Sequence, residues 1–262
     1  MLRKGDLTQG GITGTLLHFT LPMLVGSFLQ QCYNIADTLI VGQCIGAGAL
    51  AAVGSAYTLM VFLISVLLGL AMGSGTVFSL HYGAGNHVAL RRSIFSSFAL
   101  IGIVTLILNV VVFIWLDPIL RLLQVPQDIY GMMRSYLWII FCGIVFTFIY
   151  NFYASLLRAV GDSVTPLWFL AVSVVLNIAL DLFFILQLDW GIQGAAAATV
   201  LAQGVAALGI IIYTYRRRPE LRWHHEDMCF DRTCLKEIAS FSTLTCVQQS
   251  VMNLGILMVQ GL

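Results

Sequence analysis

Charge is scarce in this sequence. Lysine and arginine number 13 and aspartate and glutamate 12, together 10% of 262 residues. A soluble domain carries about 25% charged residues. A water-facing surface around a core of this size cannot be made from so few, which excludes a soluble globular class. Net charge is +1, which leaves no basic excess to bind nucleic acid. Only five prolines are present, and no serine-rich or acidic tract provides a long linker. The six cysteines (Cys32, Cys44, Cys142, Cys229, Cys234 and Cys246) are scattered, with no CxxC and no metal-ligand spacing. They read as small apolar residues rather than a disulfide framework. No nucleophile–base pair, metal cluster or nucleotide motif appears, so an enzyme is not expected, nor a cofactor. The glycine-rich pieces GAGAL and GSGTV follow no strand and are not phosphate loops.

Apolar sequence is abundant. Hydrophobic residues make up 59% of the chain and mean hydropathy is +0.92. The fold class is therefore all-α integral membrane. Six full spans are expected, at 15–41, 50–80, 94–116, 132–156, 166–188 and 192–215, with a seventh beginning at 239–262. The second is too long to stand upright in a bilayer. It should tilt, kink at the glycine cluster 69–75, or protrude. The N-terminal apolar run starts late, passes through Pro22 into a full span and lacks a small-x-small cleavage site, unlike a signal peptide.

Basic residues set the orientation. With the N-terminus inside, eleven of the thirteen fall on inner segments and only Arg121 and Arg134 outside. Ten of the twelve acidic residues then fall in loops or at helix ends. Asp37 and Asp181 remain within spans, with no lysine or arginine in any span to neutralise them. A bare carboxylate at mid-bilayer costs about 2.5–3.5 kcal/mol or more, so both are functional candidates. Asp37 precedes the outer loop near Gly46 by about two turns. Asp181 precedes Asp189 by eight residues, a rise of roughly 12 Å. Thr199 lies eight residues after Gly191, at the same depth. Asn177 is four residues before Asp181, on the same helix face. If spans one, five and six are neighbours, these four residues form one polar cluster that could hold H⁺ or Na⁺. Gln30, Tyr33 and Asn34 on the first span, and Tyr150 and Asn151 on the fourth, are candidate cavity-lining residues. His81 and His87 have no carboxylate set around them to hold a metal. His224 and His225, with Glu226 and Asp227, read as a solvated linker.

An offset of 218 residues pairs Gln30-Gln31 with Gln248-Gln249 and sets Gly255 opposite Asp37. The seventh span also starts after a basic loop, as the first follows Arg3 and Lys4. The expected organisation is a six-helix lobe (1–215), a cytoplasmic inter-lobe linker (216–236) and the first helix of a second, repeat-related lobe (237–262). Parallel halves around a central cavity are a transporter architecture.

Several motifs occur in order along the chain: Pro22, NIADTLIVGQCIGAGALAAVG (34–54), HYGAGNHVALRR (81–92), LLRAVGDSVTP (156–166), NIALDLFFI (177–185) and GIQGAAAATVLAQ (191–203). Together they resemble the multidrug and toxic compound extrusion (MATE) family of the multidrug/oligosaccharidyl-lipid/polysaccharide exporter superfamily. The resemblance implies twelve helices in two lobes and antiport of organic cations against H⁺ or Na⁺. It implies a cation site at Asp37, Asn177, Asp181 and Thr199, the cluster that depth counting selects. It also implies a small cationic, amphipathic substrate, a multi-pass protein of the cell membrane with a cytoplasmic N-terminus, and a second lobe in the same full-length chain. The rival functions are a lipid-linked oligosaccharide flippase, which would more often place basic residues in its cavity, and a non-transporting half-size subunit.

Overall fold

The computed structural model describes residues 12–222 and 232–260. The N-terminal residues 1–11 and the stretch 223–231, which holds His224, His225 and much of the expected linker, lie outside the described residues. The described residues fold into helices: α1 (Ile12–Cys44), α2 (Ala47–Gly83), α3 (His87–Leu122), α4 (Gln127–Cys142), α5 (Ile144–Ala159), α6 (Val164–Leu182), α7 (Gly191–Arg217) and α8 (Arg232–Gln260). A π-helical turn, Phe183–Gln187, extends α6, and a short 3₁₀ turn, Pro219–Leu221, follows α7.

By length and composition, α2, α3, α6 with its π turn, and α7 can each cross a membrane, and the bent pair α4–α5 makes a fifth if it crosses as one span. The first and seventh expected spans overlap α1 and α8, which among the described residues do not meet that length-and-composition test. The protein is all-α and membrane-embedded. Exposed apolar residues on α3 recur at helical spacing (Ile103, Leu106, Ile107, Val110 and Ile114). That stripe faces lipid, and Leu90, Ile94, Ile101, Val112, Leu116 and Leu120 line the buried side.

Local chemistry starts the helices where the sequence turns. The Asn86 side chain accepts from the Ala89 amide at 3.1 Å and caps α3. The Asp162 carboxylate accepts from the Thr165 amide at 3.0 Å and from its hydroxyl at 2.8 Å, at the head of α6. Gly161 precedes it at φ 87, a backbone region that side chains rarely adopt.

The structure makes two expectations more specific. The first concerns α2, which is one unbroken helix of 37 residues, about 55 Å long at 1.5 Å per residue. Its glycines make room for neighbours. A Cβ at Gly69 would stand 2.6 Å from the Cys246 Cα, one at Gly73 would strike the backbone of Ser242, and one at Gly75 would strike the Ser155 hydroxyl. Small residues thus bring α8 and α5 close to α2, as is common between membrane helices. The second concerns the fourth span, which breaks at Gly143, where α4 and α5 meet at 47°.

Packing sets the neighbours of α1. It lies against α6 and α2 and touches α7, and α6 packs on α7. The aromatic core lies elsewhere. Phe78, Phe98, Phe148 and Phe152 meet with ring centroids 5.2–6.0 Å apart where α2, α3 and α5 converge.

Candidate functional site

Three helices bring the four depth-matched residues together. Asp37 comes from α1, Asn177 and Asp181 lie one turn apart on one face of α6, and Thr199 comes from α7. All four are buried, with exposures of 8%, 1%, 0% and 7%. The side chains of Asp37 and Asp181 are within hydrogen-bonding reach of each other.

Asn177 sits between the second carboxylate and Thr199. With the amide oriented by its partners, its nitrogen donates to Asp181 Oδ2 at 2.9 Å and its oxygen accepts from the Thr199 amide at 3.2 Å. The opposite amide orientation instead has the nitrogen donating to Thr199 Oγ1 at 3.3 Å. The first satisfies donor and acceptor alike, so it is the orientation adopted. The Tyr33 hydroxyl lies 3.3 Å from Thr199 Oγ1. Tyr33 therefore joins the cluster, rather than only lining a cavity beside it.

Asp37 Oδ1 and Asp181 Oδ1 are buried without a hydrogen-bond partner among the described residues. Neither carboxyl forms an ion pair among the described residues. Two adjacent carboxylates in a poorly solvated site repel each other. A proton or a cation between them removes that repulsion. The surrounding neutral oxygens of Asn177, Thr199 and Tyr33 suit either occupant.

The other candidates lie apart from this cluster. Gln30 and Gln31 are exposed, and Asn34 turns to Gln31, donating to its Oε1 at 3.1 Å. Tyr150 donates to the Pro166 carbonyl at 3.0 Å, and Asn151 to the Thr147 carbonyl at 2.8 Å. Sequence reasoning missed Tyr136, which is buried on α4 within electrostatic range of Asp37, Tyr33 and Asp181. A signal for it was present: Tyr136 lies eight residues after Asp128, the same depth count that located Asp181 from Asp189.

A family model described as MatE matches residues 22–183. The chain belongs to the MatE family. MatE proteins are transporters, and curated relatives carry drug-export descriptions. The probable multidrug resistance protein YpnP of Bacillus subtilis (strain 168) is 35% identical over 217 residues, covering 83% of this chain and 49% of the relative. The multidrug export protein MepA of Staphylococcus saprophyticus is 31% identical over 210 residues, covering 77% of this chain and 45% of the relative. This MatE chain thus spans about half the length of the curated relatives it matches. The fold matches a structure titled as the outward-facing conformation of a multidrug resistance MATE family transporter of the MOP superfamily. That match has a TM-score of 0.90 at 24% identity and covers 98% of this chain and 57% of the other.

Proposed function

We propose that this MatE chain is the cation-coupled lobe of a secondary active exporter, which moves small amphipathic organic cations outward in exchange for H⁺ or Na⁺. The observation that supports this most is the buried pair Asp37–Asp181, each with an orphaned oxygen and neither with a basic partner among the described residues. An intramembrane carboxylate costs stability, and a pair of them facing each other costs more, unless a mobile cation comes and goes. Asn177, Thr199 and Tyr33 supply the neutral oxygens that would share the cation. The drug-export descriptions of the relatives support the substrate class.

In this reading residues 1–215 form the first lobe, 216–236 the cytoplasmic linker and 237–262 the start of a second lobe. The N-terminus is cytoplasmic and the membrane is that of the cell. No cofactor is needed beyond the coupling ion, because an ion gradient supplies the work.

The test is efflux of a fluorescent organic cation from vesicles containing the full-length transporter, with pH and Na⁺ gradients imposed separately. One of the two gradients should drive efflux, and Asp37→Asn or Asp181→Asn should abolish that drive. Normal ion-driven efflux in both variants would sink the proposal.

A further inference from the structure

The break at Gly143 is tied to the cation cluster through a single stretch of α7. Thr199 belongs to the cluster. Its neighbour Val200 is seated on Gly143, so that even a methyl group there would collide with the Val200 side chain. One turn further along, Gln203 Oε1 accepts from the Thr147 hydroxyl, just beyond the break on α5. Gly204 in turn lies against the Phe146 ring, with room for a Cβ at 3.6 Å. On the other side of the break, the Phe141 carbonyl accepts from the Asn109 amide of α3 at 2.9 Å. Thus the α7 segment 199–204 holds the cluster at one end and, at the other, grips a 47° bend at its break and on its α5 side, while α3 holds the α4 side.

A break in a membrane helix leaves backbone groups that neighbouring side chains must satisfy. Here Asn109 of α3 satisfies the Phe141 carbonyl, and the Thr147 hydroxyl just past the break is held by the helix that carries Thr199. Packed interfaces of this kind shift between discrete arrangements instead of yielding gradually. A displacement of Thr199 is passed to Val200 and Gln203 within one turn of rigid helix.

We propose that Thr147 and Gln203 are positioning residues that carry cation occupancy at Asp37–Asp181 into the bend between α4 and α5. The inference rests on the cation-site reading above. Neither residue binds the cation. Their hydrogen bond makes the bend follow α7 when Thr199 moves.

The test is hydrogen exchange by mass spectrometry on the full-length transporter in lipid nanodiscs, with and without H⁺ or Na⁺. Proton uptake at a pH electrode and Na⁺ calorimetry report occupancy independently. In the wild type, cation addition should change exchange of amides across 140–147. Thr147→Val and Gln203→Leu should still bind the cation but lose that response, and Thr147→Ser, which keeps the hydroxyl, should retain it. Val200→Ala loosens the seat on Gly143 without touching a hydrogen bond and should also lose the response. An unchanged response in Thr147→Val and Gln203→Leu would overturn the proposal, as would cation binding without any response in the wild type. If no cation binds at all, the cation-site reading itself fails, and this inference falls with it.

Discussion

Asn177 donates to Asp181 across 2.9 Å from one helical turn away, and the same amide accepts from the Thr199 backbone at 3.2 Å. One side chain therefore fixes a buried carboxylate of α6 relative to α7. Removing one partner of a buried hydrogen bond costs about 1–3 kcal/mol, more where a charge is left behind. Asn177→Ala should lower thermal stability by an amount in that range and weaken cation affinity. Unfolding curves with and without Na⁺ at two pH values would check both effects. A variant as stable as the wild type with unchanged affinity would show that the amide does not hold Asp181.

The two tyrosines beside the pair separate binding from folding. Tyr33→Phe removes the hydroxyl 3.3 Å from Thr199 Oγ1 and leaves the ring in place. Loss of a neutral hydrogen bond is worth about 0.5–1.5 kcal/mol, so cation affinity should fall severalfold while the chain stays folded. Tyr136→Phe should lower the affinity less, because its buried hydroxyl acts on the same carboxyls only through electrostatic range. Calorimetric titration of each variant gives the comparison.

The glycines of α2 predict opposite outcomes for the same substitution. Gly73→Ala drives a methyl group into the Ser242 backbone and should destabilise the α2–α8 contact, by about 1–3 kcal/mol as overpacking usually does. Gly54→Ala meets nothing within 4 Å and sits in the same helix. It should stabilise by about 0.4–1 kcal/mol through a less flexible unfolded chain. A thermal-shift assay on the pair would show melting temperatures moving in opposite directions.

Much of the site was readable from residue spacing. Eight-residue depth counts placed Asp181 and Thr199 level with Asp37, and the i, i+4 relation placed Asn177 beside Asp181. What spacing does not supply is adjacency, which comes from the packing of α1 on α6 and of α6 on α7. Tyr136 was missed because a tyrosine in an apolar run carries no charge cost to draw attention, although the same count from Asp128 reaches it. The role of Gly69, Gly73 and Gly75 stayed open between bending and close helix contact, because composition does not separate a helix that bends from one that another helix approaches. Gly143 was overlooked for a related reason. Among 24 glycines, the one that breaks a span differs only in what packs against it, here Val200 of a distant helix.

The central claim is that Asp37 and Asp181 together hold one exchangeable cation. Infrared difference spectroscopy of the carboxyl stretch tests it most directly, on the full-length transporter in nanodiscs during proton and Na⁺ titration. The wild type should show a cation-dependent carboxyl signal that disappears in both Asp37→Asn and Asp181→Asn, because neither residue holds the cation alone. The same signal persisting in both variants would contradict the account.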